Sequence, residues 1–354
     1  MSAKTLQRPA ELVEAGLVAP ERLPDLQRIA ARYALSLSPA MAALIAPGNP
    51  DDPIARQFVP DPRELRHEPG ERADPIGDHA HEKGPGLVHR YPDRVLLKLV
   101  SICPVYCRFC FRREMVGLGH EAVLSDAKIE AALAYIAAHS EIWEVVVTGG
   151  DPLILSPRRL AALGERLAAI GHVKILRWHT RVPVVAPELV DHALVEALRA
   201  PGKATWLVVH TNHPREFTPE ARAALARLAE AGIPLLSQSV LLRGVNDDPV
   251  TLEALLRACV ENRVKPYYLH HGDLAPGTGH FRTGIAEGQA LMRDIRGRVS
   301  GLCQPSYVLD IPGGHGKVPI GPAYVSEATG SYVVTDCFGV EHDYPPRADG
   351  ESAK

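Results

Sequence analysis

Between Val95 and Asp310 the sequence alternates seven short apolar runs with amphipathic, capped segments, and that alternation leaves few architectures open. The runs are Val95–Val100, Glu144–Thr148, Val173–Trp178, Trp206–His210, Leu235–Leu242, Pro266–His270 and Ser306–Asp310. Helix signals lie between them. Ser125 opens one helix, and Ser156 followed by Pro157 opens another. Thr218-Pro219 opens a third that Gly232 closes, and Thr251 precedes a fourth. A hydroxyl before the first turn accepts an otherwise unpaired backbone N–H, and proline suits the first helical position because its φ is already helical. Buried strands alternating with helices imply parallel βαβ units, since parallel neighbours need a crossover long enough to hold a helix. With seven candidates, a barrel or most of one is expected over an open doubly wound sheet. Chemistry in such a barrel gathers at the C-terminal ends of the strands.

The flanks read differently. Residues 1–45 are expected to be helical, with Leu and Ala at three-to-four spacing from Leu23 to Leu44. From Pro47 to Gly86 the chain is rich in Pro, Asp, Glu, Arg and His, and reads as an extended arm or crossing segment. Tyr324–Val325 and Tyr332–Val334 flank a Thr-Gly-Ser turn and predict a terminal hairpin. The expected organisation is therefore a helical region and arm over 1–86, a barrel core over 87–322, and a hairpin and tail over 323–354.

A net charge of −3 across 354 residues points to neither nucleic acid nor an anionic membrane surface as partner. No apolar run is long enough to span a bilayer, and Met1 to Pro20 lacks the apolar stretch of a signal peptide. The cytoplasm is the expected location.

Three of the six cysteines crowd into Cys103-Pro-Val-Tyr-Cys107-Arg-Phe-Cys110, on a loop after a strand candidate. That suits metal ligation better than stapling, which a chain of this size does not need. Structural zinc wants four ligands, and no fourth Cys or His sits nearby at the usual spacing. Spacing alone favours an iron–sulfur cluster while leaving zinc, or three unpaired structural cysteines, open.

C-x3-C-x2-C with an aromatic residue before the third cysteine (Phe109) resembles the signature of radical S-adenosylmethionine enzymes. The resemblance implies a partial (βα)6-type TIM barrel of the radical S-adenosylmethionine type, with the helical extension and short hairpin appended. It also implies that Cys103, Cys107 and Cys110 hold a [4Fe-4S] cluster whose open iron chelates S-adenosylmethionine, the source of a 5′-deoxyadenosyl radical. Gly149-Gly150-Asp151 stands where the family has its motif for the methionyl amino group. His210 and Gln238 match positions near S-adenosylmethionine. Read alone, they are ordinary polar residues of a barrel mouth.

Within that superfamily, residues 85–325 are similar to lysine 2,3-aminomutase. The matching blocks are His89-Arg90-Tyr91-Pro92-Asp93-Arg94, Arg112, Ser239 to Asp247, and Pro312-Gly313-Gly314-His315-Gly316-Lys317. The last block is no phosphate loop, because Ile311 replaces the first glycine and Val318 the Ser/Thr of that motif. The resemblance implies that Lys317 forms the Schiff base with pyridoxal phosphate. It implies that Arg90 and Arg94 hold the phosphate, that Arg112 pairs with the substrate carboxylate, and that Asp273 and Asp310 bind a far ammonium. The glycines before Lys317 would let backbone approach the cofactor. Without the resemblance, Arg94 beside Asp93 would read as a solvated surface pair.

The reaction implied is an isomerisation moving the α-amino group of L-lysine to C3, with an electron donor such as flavodoxin. Three departures qualify the match. His270 stands where clostridial-type enzymes have Tyr, as it does in shorter homologues that make (R)-β-lysine for elongation factor P. Asp248 replaces a zinc-binding cysteine, so no zinc is expected. The C-terminal segment that helps assemble the tetramer is much reduced, which leaves a homo-oligomer compatible but unassigned. The alternatives are that (R)-β-lysine activity, a 2,3-aminomutase for another amino acid such as glutamate, and a non-catalytic iron–sulfur protein.

Overall fold

The structure, a computed structural model, describes residues 4–49, 51–117, 119, 121–328 and 331–345. Four short helices come first: α1 (Pro9–Glu14), α2 (Leu23–Ala30), α3 (Pro39–Leu44) and α4 (Pro53–Phe58). The expectation of one helical stretch to residue 45 holds only in pieces. Between α2 and α3 the chain is extended, and Leu37 pairs with Leu6 in an antiparallel bridge. The arm is not a loose crossing segment either. Asp52 caps α4 through bonds from the Ile54 and Ala55 amides, both 2.9 Å. Apolar side chains of α1 to α4 join the same core as the barrel strands.

A ten-stranded sheet then runs in sequence order, from β1 (Glu82–Gly84) and β2 (Leu87–Tyr91) to β3 (Arg94–Val100), β4 (Glu144–Gly149), β5 (Ile175–Thr180), β6 (Ala204–His210), β7 (Leu235–Val240), β8 (Val264–His270), β9 (Ser306–Ile311) and β10 (Gly316–Pro319). The pairs from β3 to β9 are parallel, while β1, β2 and β10 add antiparallel edges. All seven strand candidates are strands, with ends displaced by one or two residues. Between them lie α5 (Asp126–Ala138), α6 (Pro157–Ala168), the short α7 (Val182–Val185) with α8 (His192–Ala197), α9 (Pro219–Glu230), α10 (Pro249–Glu261) and α11 (Ile285–Arg296). Six parallel strand–helix units followed by β9 make the expected partial (βα)6 barrel. Helix α6 shows why the pattern folds so: Leu160, Leu163, Gly164 and Leu167 recur at three-to-four spacing and are its buried face.

Two cap readings differ in outcome. Thr218 accepts from the Ala221 amide at 3.2 Å, as expected. Helix α10 is capped by Asp248, not Thr251, whose amide donates to Asp248 at 2.9 Å. An ionised carboxylate is the stronger acceptor, and Pro249 behind it fixes the first helical φ.

The sheet edges β1 and β10 are not paired with each other. Side chains close that gap instead: the Lys317 amide donates to the Tyr91 hydroxyl at 2.8 Å, and His81 Nε2 lies 2.9 Å from the Gly314 carbonyl. The predicted hairpin is a three-stranded antiparallel sheet, β11 (Val325–Ala328), β12 (Ser331–Thr335) and β13 (Glu341–Tyr344). Thr329 and Gly330 of its expected turn lie outside the described residues. No helix among the described residues is long and apolar enough to cross a membrane.

The arm also carries a buried carboxylate. Glu64, fully buried, accepts from Arg108 Nε at 3.0 Å and Nη2 at 2.5 Å, and pairs with Arg113. Burial opposes its charge, but the two guanidiniums hold its pKa below the usual range. Glu64→Ala strands two buried cations at the end of the cysteine loop and should cost on the order of 3–5 kcal/mol. Denaturant unfolding checks this; a loss under about 1 kcal/mol would mean that water enters and solvates the pair.

Candidate active site

The barrel encloses a cavity of about 890 Å³ that runs from the first residues of β3, β4, β5 and β9 to the loops after the C-terminal ends of the strands. Its walls include all of Arg90, Arg94, Cys103, Cys107, Cys110, Arg112, Gly149, Gly150, Asp151, His210, Gln238, Asp273, Asp310 and Lys317. One cavity therefore gathers residues spread over more than two hundred positions.

At one end lie the thiols, all free and half-buried, on the loop after β3. Burial pushes Cys103 well up, and the charges of Asp151, Cys110 and Cys107 push it further. Cys110 rises to about 11, from burial first and the Cys107 charge second. Thiolates crowded this way need a compensating positive charge, as iron would supply. Among the described residues no three His, Cys, Asp or Glu side chains converge as ligands of a single ion do. A cubane does not ask for that, because each cysteine serves a different iron. The donor set therefore fits a cluster better than zinc.

The Gly149-Gly150 turn packs against this loop with no room for side chains. A Cβ on Gly149 (φ +119°) would lie 2.4 Å from the Val100 carbonyl oxygen, and one on Gly150 would lie 2.3 Å from that of Ile102. Asp151 lines the cavity and its carboxylate is bonded to protein donors. One oxygen accepts from Leu153 N at 3.1 Å and Thr180 Oγ1 at 2.7 Å, the other from Arg181 N at 2.7 Å and Val182 N at 3.2 Å. It organises the start of α7 and the end of β5. His210 packs on Phe109, their ring centres 5.7 Å apart, and burial holds it neutral. Its buried Nε2 has no partner among the described residues, which suits a hydrogen bond to something bound in the cavity.

At the other end stands Lys317, on β10. Its ammonium pairs with Asp310 across the β9–β10 register and lies 3.2 Å from His270 Nδ1. Burial would raise Asp310, but His270 and the Lys317 charge hold it down to about 2. Asp273 has no side-chain partner among the described residues, and burial together with the Asp310 charge raises it to about 7. The glycines before Lys317 are crowded by protein. A Cβ on Gly314 (φ +88°) would meet His81 Nε2 at 2.7 Å, and one on Gly316 (φ +90°) would meet the Tyr91 hydroxyl at 3.0 Å. Gly314 lets His81 of the arm, and Gly316 lets Tyr91, close on the segment before the lysine.

Arg90 and Arg112 share a partner that the sequence reading missed. Asp78, buried in the arm, accepts from Arg90 Nη2 at 2.9 Å and Arg112 Nη2 at 3.2 Å. Among the described residues, each arginine retains a buried Nε without a partner. Arg94 lines the cavity too, stacked 3.8 Å over the Tyr91 ring and bonded to Asp93 at 2.7 Å. Sequence reasoning also passed over Arg181 and His179. No local pattern marks Asp78, whose pairing is purely tertiary; His179 and Arg181 were detectable only as polar residues at or just after the end of β5.

A parallel barrel with a three-cysteine loop at its mouth, a glycine turn beside it and a paired lysine across the cavity defines a radical S-adenosylmethionine enzyme. The comparisons agree. Residues 97–255 match the model of the radical SAM superfamily, and residues 292–350 match that of lysine-2,3-aminomutase. The chain is 40% identical over 319 residues to L-lysine 2,3-aminomutase of Acetoanaerobium sticklandii, covering 90% of this chain and 77% of that one. It is 39% identical over 304 residues to the enzyme of that name from Clostridium subterminale, covering 86% and 71%. It is 34% identical over 309 residues to glutamate 2,3-aminomutase of Clostridioides difficile, covering 87% and 72%. This chain belongs to the lysine 2,3-aminomutase family. It is an isomerase, and its cofactors are a [4Fe-4S] cluster, S-adenosylmethionine and pyridoxal phosphate.

Proposed function

We propose that the enzyme moves the α-amino group of L-lysine to C3, giving β-lysine. The observation that carries the substrate assignment is the pair of acids, Asp273 and Asp310, in the cavity wall with Lys317. A buried ammonium must be paired, whereas an acidic substrate side chain would be repelled at that point. That separates the lysine reading from the glutamate one.

The roles divide along the cavity. Cys103, Cys107 and Cys110 hold the cluster. The cluster with S-adenosylmethionine supplies the 5′-deoxyadenosyl radical that abstracts substrate hydrogen, and pyridoxal phosphate supplies the imine through which nitrogen moves. Backbone of Gly149 and Gly150, with His210 and Gln238, seats S-adenosylmethionine. Arg90 and Arg94 take the phosphate, and Arg112 takes the substrate carboxylate. Asp78 keeps two of those arginines aimed inward, since each guanidinium is tied to it through one nitrogen only. His270, held neutral by burial, stands with its Nδ1 3.2 Å from the Lys317 Nζ and orients it toward the cavity. Lys317 would hold pyridoxal phosphate, and Asp310 with Asp273 would hold the far ammonium. A one-electron reductant such as flavodoxin completes the reading.

The test is anaerobic turnover of L-lysine and of L-glutamate by the reconstituted enzyme, with products resolved on a chiral column. Product from lysine supports the proposal, and its hand separates β-lysine metabolism from supply of (R)-β-lysine to elongation factor P. Turnover of glutamate alone would overturn it. Asp310→Asn and Asp273→Asn should each lower kcat/KM for lysine by roughly 10²-fold, the order expected when a buried charge loses its partner. Asp273 adds a pH signature. With its pKa raised to about 7, the carboxyl is neutral below that pH and charged above it. The KM for lysine should therefore fall as pH rises toward 7, by about tenfold per unit for one linked proton, and then level off. Asp273→Asn should flatten that limb; a limb that persists would assign it elsewhere.

A further inference from the structure

Arg181 follows β5 and is buried to 5% exposure beside the cysteine loop. Its backbone is held by Asp151, the acid of the Gly-Gly-Asp turn. The guanidinium has three polar partners: Nη1 donates to Cys107 Sγ at 2.8 Å, and Nη2 donates to Gln57 Oε1 at 2.6 Å and Glu216 Oε2 at 3.0 Å. Its Cζ lies 4.7 Å from the centre of the Phe58 ring and 5.5 Å from that of Phe109. The acceptors are themselves fixed. Gln57 donates to Glu216 Oε1 at 3.1 Å, and that oxygen also accepts the Asn212 and His213 amides, both at 3.0 Å. Gln57 and Glu216 are fully buried, so little solvent screens the group.

An ion pair that served only to pin the arm would need Glu216 and Gln57 alone. Here one limb of the fork is turned onto a sulfur. Cys103 and Cys110 instead face backbone amides, of Asp151 and Arg112. A permanent cation and an N–H donor at a cluster sulfur favour the more negative, reduced state of the cluster, because its extra electron spreads onto the sulfurs. Glu216, on the far side of the guanidinium, works against that.

We propose that Arg181 is a positioning residue that raises the reduction potential of the iron–sulfur cluster through Cys107, with Glu216 as its counterweight. The inference rests on the assignment of Cys103, Cys107 and Cys110 to the cluster. It explains why a buried arginine, and not a solvent-facing lysine, stands there: the charge is fixed at any working pH, and the planar fork reaches sulfur and carboxylate together.

The experiment is a mediated redox titration of the full-length reconstituted enzyme, followed by electron paramagnetic resonance without S-adenosylmethionine, with iron counted per chain. Arg181→Gln at full iron content should shift the potential in the negative direction. Glu216→Gln should shift it positively, and Arg181→Lys should fall between wild type and Arg181→Gln. Opposite signs for the two glutamine variants are what a merely structural role does not produce. An unchanged or higher potential in Arg181→Gln with full iron overturns the proposal. If Arg181→Gln fails to hold iron, Glu216→Gln decides: a positive shift supports the proposal and no shift overturns it. Cys107→Ala is the separate control for the underlying assignment, since retention of a wild-type cluster in that variant would refute the ligand set itself.

Discussion

Lys317→Arg is expected to lower turnover by roughly 10³-fold or more while leaving the fold and the cluster intact. The substitution separates charge from chemistry. In the structure the Lys317 ammonium pairs with Asp310 between adjacent strands, and its backbone amide ties β10 to Tyr91 of β2. Arginine keeps a cation for Asp310 and keeps the amide, so barrel closure should survive. It cannot form an imine with the cofactor, because its nitrogen does not deprotonate at any working pH. Lys317→Ala is the harsher variant: it leaves Asp310 buried with only His270, 3.6 Å away, and invites a stability loss that would cloud the result. Mass analysis of peptides after borohydride reduction is the direct check. Wild type should carry the cofactor's mass on the peptide containing Lys317, and Lys317→Arg should carry none. Label on any other lysine would remove Lys317 from its proposed role.

An effect as large is expected at each of Cys103, Cys107 and Cys110. Alanine at any one should abolish cluster formation and, with it, cleavage of S-adenosylmethionine. A three-thiol set has no spare ligand, and the iron that binds S-adenosylmethionine must stay open. The other cysteines serve as internal controls. Cys259 is buried within α10, Cys303 is buried before β9, and Cys337 is exposed between β12 and β13. Their alanine variants should bind the full complement of iron. Iron and sulfide analysis with the visible spectrum reads both groups of variants. A full cluster in Cys103→Ala, Cys107→Ala or Cys110→Ala would show that the ligand set has been misassigned.

Much of the barrel was legible in the sequence, because local rules and tertiary packing agree there. Runs such as Val145-Val146-Val147 are buried on both faces of a parallel sheet, and β-branched residues favour that backbone anyway. The arm was illegible for the opposite reason. Asp52, Gln57, Glu64 and Asp78 look like a solvated, charged stretch, yet all four are buried. Their partners lie far along the chain: Arg215 for Asp52, Arg181 for Gln57, Arg108 and Arg113 for Glu64, Arg112 for Asp78. Composition assigns a charged residue to water unless a partner is known, and the sequence contains no record of these pairings.

The sequence by itself determined the order of the barrel strands and helices and the three-thiol loop. Those depend on periodicity and on spacings of a few residues, which the chain carries locally. Tertiary structure alone decided that Asp151 holds backbone of the turn after β5, that Gly314 makes room for His81 of the arm and Gly316 for Tyr91, and that Asp78 and Arg181 stand behind the site. These outcomes turn on which groups meet after the chain has closed on itself. A buried charge takes whatever partner the packing brings within hydrogen-bond reach.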